Sequence, residues 1–438
     1  MHTLEQLRGG QLAGIQRLSL SCGLRDFPRE IFDLADTLEI LDLSGNQLAA
    51  LPDDLPRLHR LRIVFCSDNL FTELPAVLGR CQALEMIGFK ANRIDHVPGE
   101  ALPATLRWLV LTDNRIERLP AGIGRCARLQ KLMLAGNRLR DLPPQLADCR
   151  SLELLRLAAN RLEEFPAWLA GLPGLSWLAL AGNPFCRAHE EEADRLAQVP
   201  DVAWSELQLA RKLGEGASGV IHEARWLREG VERAVAVKLF KGAVTSDGLP
   251  EREMAAYIAA DSHDGLIPVL GRLQDHPDGT HGLVMPLIDP AFANLAGPPS
   301  LASCTRDVYA ADAAFSWPHA LGIAHDIATA AAHLHRQGIV HGDLYAHNIL
   351  HRAPGQALLG DFGAASMYPP DAAYAPALQA MEARAYGCLL EELLARCERG
   401  DGIDRLAALR DACLSEAAAE RPGFDVIEAT LDAIRPSS

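Results

Sequence analysis

The chain has 438 residues, enough for two or three domains with separate cores. Its net charge of −15, from 42 Lys and Arg against 57 Asp and Glu, excludes the basic footprint of a nucleic-acid-binding protein. With no run of about 18 apolar residues and no charged start leading into an apolar segment, the expectation is a cytoplasmic protein without membrane contact. The acidity is uneven: residues 1–205 carry 23 basic and 26 acidic side chains (−3), whereas residues 206–438 carry 19 and 31 (−12).

The first half repeats itself. LEILDLSGNQLAALP at 38–52 returns as LRWLVLTDNRIERLP (106–120), LQKLMLAGNRLRDLP (129–143) and LELLRLAANRLEEFP (152–166). Asn46, Asn69, Asn92, Asn114, Asn137, Asn160 and Asn183 follow at intervals of 23, 23, 22, 23, 23 and 23 residues. Each unit puts its leucines on one side and cannot close a core alone, so neighbours must stack. A short LxL strand sends alternate residues to opposite faces. An Asn at the strand-to-loop bend would turn inward and satisfy backbone groups that burial would otherwise leave unpaired. Cys81, Cys126 and Cys149 recur at one position of the unit, where a small buried side chain fits, so free structural thiols are expected.

The pattern resembles the leucine-rich repeat over about residues 12–185. IQRLSLSCGLRDFP, with Cys22 near the Asn position, reads as an atypical N-terminal cap, and residues 183–200 as the C-terminal cap and linker. Solenoids of this kind bind partners. The residue before each first strand leucine should face the concave side, giving Ile40, Ile63, Met86, Trp108, Lys131, Leu154 and Trp177, with Phe65, Val110 and Met133 one position on. This apolar row is expected to form a protein interface anchored by Trp108 and Trp177. Its occupant would be a separate protein or the chain's own second domain.

The second half begins with LGEGASGVI (213–221) between strand-like stretches, followed by the alternating RAVAVKLF (233–240). Lys238 there is one of five lysines in the chain. Glu253 follows in a helix-like segment, then IVHGDLYAHNIL (339–350) and Asp361-Phe362-Gly363. Five motifs in this order resemble the eukaryotic-type protein kinase over about residues 206–436.

The resemblance implies roles. Gly214, Gly216 and Gly219 would let a hairpin close over ATP phosphates, and Lys238 would hold the α- and β-phosphates, oriented by Glu253, with Glu251 as the weaker alternative. Ile221 and Ala236 would roof the adenine, Leu350 would floor it, Met285 would be the gatekeeper, and Pro286 and Ile288 would supply hinge backbone groups. Asp343 would orient the attacking hydroxyl, His341 would brace the loop, and Asn348 and Asp361 would bind Mg²⁺, with Mn²⁺ as an alternative ion.

Four departures from the family stand out. Gly342 replaces the Arg that normally pairs with a phosphorylated activation segment. Tyr345 replaces a Lys near the transferred phosphate, a loss that His347 could offset in part. The activation segment is short, and Ala377 in YAPA removes the usual acidic partner of Arg421. Glu382 stands for the Asp that anchors the central helix, and an insertion at about 289–316 follows the hinge.

The fold expected is an α/β leucine-rich repeat solenoid (1–185), a cap and linker (186–205), and a bilobal α+β protein kinase domain (206–438), with its N-lobe at about 206–285. The function expected is ATP- and Mg²⁺-dependent transfer to a protein hydroxyl, Ser or Thr ahead of Tyr. A pseudokinase scaffold and a small-molecule kinase are the alternatives.

Overall fold

The computed structural model describes residues 2–196, 199–216, 218–242, 244–245 and 247–435. It divides into two compact units, Met1–Leu175 and Ser176–Ser438.

The first unit carries seven three-residue strands: β1 Arg17–Ser19, β2 Ile40–Asp42, β3 Ile63–Phe65, β4 Met86–Gly88, β5 Trp108–Val110, β6 Lys131–Met133 and β7 Leu154–Arg156. Neighbours pair parallel, without register slips, from Arg17 opposite Ile40 to Lys131 opposite Leu154. A short helix, α1 Leu4–Arg8, precedes β1 and is closed by a capping box: Gln6 N–H donates to Thr3 Oγ1, and Thr3 N–H to Gln6 Oε1. On the return side, 3-10 turns such as Ala76–Arg80, Ala121–Arg125 and Pro144–Asp148 take the place of longer helices. Pro75, Pro120 and Pro143 open them, because the ring fixes φ just where the chain must turn. Cys81, Cys126 and Cys149 close the same turns, buried, and desolvation pushes their thiols up to about 11, 11 and 12.

The asparagine ladder shows why the unit tolerates so little variation. Asn137 Oδ1 accepts from Ile116 N–H at 3.0 Å, while its Nδ2 donates to Leu111 and Leu134 carbonyls at 2.8 and 3.0 Å. Asn114 and Asn160 repeat the arrangement one repeat away on either side. The residue just before each ladder Asn turns left-handed: Gly45, Asp68, Ala91, Asp113, Gly136, Ala159 and Gly182 all have positive φ. Gly takes that conformation without penalty and Asp tolerates it, whereas Ala159 pays about 1 kcal/mol. Two substitutions should therefore move stability in opposite directions in one urea titration. Asn137→Ala leaves the Ile116 N–H unpaired and takes one of two bonds from each of the Leu111 and Leu134 carbonyls, which keep Asn114 and Asn160, and is expected to cost about 2 kcal/mol, while Ala159→Gly should gain a few tenths to about 1 kcal/mol.

The apolar row on the strands is not a continuous exposed surface. Ile63, Met86 and Leu154 are buried, and Ile40, Trp108 and Lys131 are half-buried. The register lays these side chains against one another, and the Lys131 ammonium sits 4.4 Å from the Trp108 ring centre.

The second unit opens with strand β8 Trp177–Ala179, which keeps the LxL pattern, and helix α2 Arg187–Leu196. Residues 197–198 of the expected linker lie outside the described residues, as do 436–438 at the end of the expected kinase range. Strand β9 Asp201–Ala203 then joins the edge of a six-stranded sheet. The other strands are β10 Leu207–Glu215, β11 Gly219–Arg228, β12 Val231–Phe240, β13 Gly271–Gln274 and β14 Gly282–Pro286, in spatial order β10-β11-β12-β14-β13-β9. Val202 of β9 packs in the core formed by Leu207, Ala224, Val235, Val237, Leu273 and Val284. Helix α3 Pro250–Ala259 follows β12.

Beyond β14 the chain becomes helical around α4 Trp317–Arg336, whose buried residues mix small side chains such as Ala320, Ala324, Ala328 and Ala331 with Leu321, Ile323, Ile327 and Leu334. Helices α5 Ala375–Leu394, α6 Ile403–Cys413 and α7 Phe424–Asp432 complete this lobe. Five short strands accompany these helices: β15 Ala293–Asn294, β16 Ile339–Val340, β17 Ile349–Arg352, β18 Gln356–Leu359 and β19 Ser366–Met367. The loop with His341, Asp343 and Asn348 lies between β16 and β17, and Asp-Phe-Gly between β18 and β19. No helix among the described residues is long and apolar enough to cross a membrane.

Candidate active site

Strand β12 alternates, so Val235 and Val237 enter the sheet core while Ala236 and Lys238 face the other side. Lys238 is buried there, with the Phe240 and Tyr257 ring centres 5.4 and 5.9 Å from its Nζ, which bonds Glu253 Oε1 of α3. The Lys238 ammonium also lies 3.8 Å from Asp361 Oδ1. Burial works against the charge on Lys238, but the Asp361 and Glu253 carboxylates outweigh it and hold the amine above its ordinary value. Burial also pushes the Glu253 carboxyl up to about 7, with Lys238 opposing. Glu251 is exposed on α3, so of the two glutamates Glu253 is the partner.

Asp343 and Asn348 are held together in the loop after β16. Asn348 Nδ2 donates to Asp343 O at 2.9 Å and to Asp343 Oδ2 at 2.8 Å. His341 Nδ1 accepts from Asp343 N–H at 3.3 Å, its Nε2 meets Gly360 O at 2.9 Å, and its ring lies 5.1 Å from Phe362. The loop is thus tied to the residue before Asp361.

Asp361 has a φ of 58°, a left-handed conformation that Asp tolerates better than most non-glycine residues. Two bonds hold it: its N–H donates to Tyr257 Oη at 2.7 Å, and its Oδ1 accepts from Gly363 N–H at 3.2 Å. Tyr257 stands on α3 one turn beyond Glu253 and packs 4.3 Å from the Phe362 ring. Its one signal in sequence is the i,i+4 spacing from Glu253, which places both on one helix face.

Of the glycine-rich hairpin, only Gly219 is required by the protein's own packing: a Cβ there would come within 2.5 Å of Leu239 O. At Gly214 and Gly216 a Cβ would meet nothing within 4 Å. In the sheet register Ile221 lies opposite Gly214 and Lys238, and Ala236 opposite Met285. Met285 is buried, Pro286 and Ile288 follow half-buried, and Leu350 lies on β17 opposite Asn294.

Each departure from the family has a local consequence. Gly342 N–H donates to Glu382 Oε1 at 2.9 Å, and Glu382 Oε2 meets His335 Nε2 at 2.7 Å, so Glu382 anchors the loop in place of an Asp. Arg421 donates to the Ser415 and Ala380 carbonyls at 2.9 and 3.1 Å, backbone groups standing where an acidic partner is usual. His347 is bound through both ring and backbone by Asp307 of the insertion, at 2.7 and 2.9 Å. Against burial, that bond and the Asp343 and Asp361 carboxylates hold the imidazole above its ordinary value. Tyr345 is buried and stacked on Trp177, with ring centres 4.1 Å apart and planes 9° from parallel. Trp177, expected as an interface anchor, is therefore already covered by Tyr345 within the second unit.

A sheet lobe with a buried Lys–Glu pair, joined by one strand to a helical lobe with an Asp–Asn loop, is the architecture of a protein kinase domain. Residues 207–383 match the protein tyrosine and serine/threonine kinase family, and residues 37–58, 104–162 and 127–185 match leucine-rich repeat families. The chain is a leucine-rich repeat region followed by a protein kinase domain. It is also 35% identical over 100 residues to the Transforming growth factor beta activator LRRC32 of Mus musculus. That stretch is 22% of this chain and 15% of the relative, so the chain spans well under two thirds of that protein's length.

Proposed function

We propose that the chain is an active kinase that transfers the γ-phosphate of ATP to a protein hydroxyl, Ser or Thr ahead of Tyr, with Mg²⁺ as the ion. The observation that carries this reading is the convergence of Lys238, Glu253 and Asp361 beside a hydrogen-bonded Asp343–Asn348 pair. Lys238 would hold the α- and β-phosphates, kept in place by Glu253. Asp343 would orient the nucleophilic hydroxyl and take up its proton. The residues fit a divalent cation: Asn348 spends its Nδ2 on Asp343, leaving its Oδ1, and the Asp361 carboxylate is half-exposed. That ion supplies charge neutralisation on the phosphate oxygens. Gly214 and Gly216, which protein packing does not require, fit a backbone that a ligand approaches closely.

A scaffold that bound no nucleotide would have little use for a charged lysine held in a buried pair, since such pairs contribute little net stability. The deciding experiment is incubation with γ-labelled ATP and Mg²⁺, wild type beside Asp343→Asn. Label on protein with wild type only supports the kinase; equal labelling or none in both favours the scaffold.

Activity should not need a phosphorylated activation segment. Ser366 and Tyr368 are each 1% exposed, and Gly342 offers no guanidinium to a phosphate. Phosphatase-treated protein and Tyr374→Phe are both expected to keep turnover within about threefold of untreated wild type. A loss beyond tenfold, restored by an acidic residue at 374, would refute this.

The repeats would dock a protein substrate or regulator, with Ile40, Trp108 and Lys131 the row members that remain partly accessible. The buried thiols fit a reducing, cytoplasmic setting.

A further inference from the structure

Residues 176–190, which the sequence reads as the end of the repeats and the start of their C-terminal cap, make three separate contacts with the kinase machinery of the second unit. Trp177 stacks on Tyr345 and its Nε1–H donates to Leu344 O at 3.1 Å, one residue from Asp343. Leu180 N–H donates to Ser366 Oγ at 2.8 Å, three residues past Gly363. Glu190 of α2, 1% exposed, accepts from Gly182 N–H at 2.8 Å and lies 3.4 Å from the guanidinium of Arg252, the neighbour of Glu253.

The loop, the Asp-Phe-Gly segment and the ion-pair helix are the three parts whose placement decides whether phosphoryl transfer proceeds. One short stretch touches all three. Gly342 shows that this arrangement displaces the usual one. Its φ is +69°, and a Cβ there would come within 2.6 Å of Leu178 O and of Ala364 O. The space next to the loop is taken by the backbone of β8, so no arginine fits at 342.

We propose that Trp177 and Glu190 are positioning residues for catalysis, and that the end of the repeat region holds this kinase in its competent geometry in place of an arginine and a phosphorylated segment. The proposal rests on the kinase reading above. Trp177 fixes the backbone on which Asp343 rides, and Glu190 steadies the helix that presents Glu253. Neither touches ATP or the reacting atoms, so each acts on turnover more than on nucleotide affinity. A misplacement of about 1 Å at the nucleophile-orienting residue costs about 10²-fold in rate.

The test uses the full chain, γ-labelled ATP, Mg²⁺ and myelin basic protein as phosphoacceptor. Trp177→Ala is expected to lower kcat about tenfold to hundredfold, with KM for ATP within about threefold of wild type. Trp177→Phe keeps an aromatic ring for the stack and loses the N–H donor, and should recover most of the rate. Glu190→Gln should lower kcat about threefold to tenfold with the same KM pattern. Wild-type kcat in Trp177→Ala would overturn the proposal. So would equal losses in Ala and Phe variants accompanied by a matching fall in the melting temperature, which would mark a purely structural role. Should wild type itself transfer no phosphate, the kinase reading fails, and amide hydrogen exchange decides the positioning claim alone. Faster exchange across 341–348 in Trp177→Ala, with β10–β12 unchanged, sustains it; unaltered exchange in the loop refutes it.

Discussion

Asp343→Asn is expected to lower phosphotransfer by about 10²–10⁴-fold, the range for removing a positioned acid–base group, while leaving ATP binding and the fold in place. The fold should survive because Asn348 still donates to the backbone carbonyl of residue 343, and an amide oxygen can accept its second bond. Lys238→Met should give a different signature. It removes the cation that both Asp361 and Glu253 face and strands Glu253 in a buried site, where the carboxyl can only stay neutral. ATP affinity should therefore fall together with turnover. Calorimetric titration with Mg²⁺-ATP, labelled-ATP turnover and circular dichroism separate the two cases. Wild-type turnover in either variant with normal dichroism would remove Asp343 or Lys238 from the site.

Gly342→Arg, which restores the residue usual in this family, is expected to be among the most damaging changes in the second unit. An L side chain at a φ of +69° costs about 1–2 kcal/mol before any contact is considered. Its Cβ would then press on two backbone carbonyls at 2.6 Å, Leu178 O and Ala364 O, neither of which can rotate away as a side-chain tip would. Overpacking of this kind adds about 1–3 kcal/mol, so a total loss of about 2–5 kcal/mol is expected, a large part of a typical domain's stability. Because the conflict lies at Cβ, Gly342→Ala should lose most of the same amount. Urea midpoints of the two variants test this directly. An unchanged midpoint for Gly342→Arg would mean that β8 does not lie where the structure places it.

Much of the site was legible because its grammar is local. Lys238 declared itself by the period-2 strand around it, and Asp343, Asn348 and Asp361 by short spacings within loops. The choice between Glu251 and Glu253 was open to helix geometry, since the face that meets the sheet is the one that carries Tyr257. Tyr257 itself was missed, because a tyrosine on an apolar helix face carries no mark of the hydrogen bond it accepts from Asp361. The left-handed residue before each ladder Asn was half-visible: Gly45, Gly136 and Gly182 signal it, but Ala91 and Ala159 do not.

The sequence by itself determined the repeat stack and the order of the kinase motifs. In a solenoid each unit touches only its neighbours, so a period of about 23 residues carries the whole instruction, and motif spacing reports loops whose ends are close in the chain. What only the tertiary structure decided is where the repeat pattern stops serving the repeats. Trp177 has the same place in its unit as Trp108, and nothing in the period tells them apart. Its partner, Leu344 O, stands 167 residues away. A stack between two aromatic rings, or the room that Gly342 leaves for Leu178 O, depends on surfaces brought together by the finished fold. Contacts of that kind have no period and no fixed spacing, because the loop-closure cost of bringing distant segments together depends only weakly on their separation.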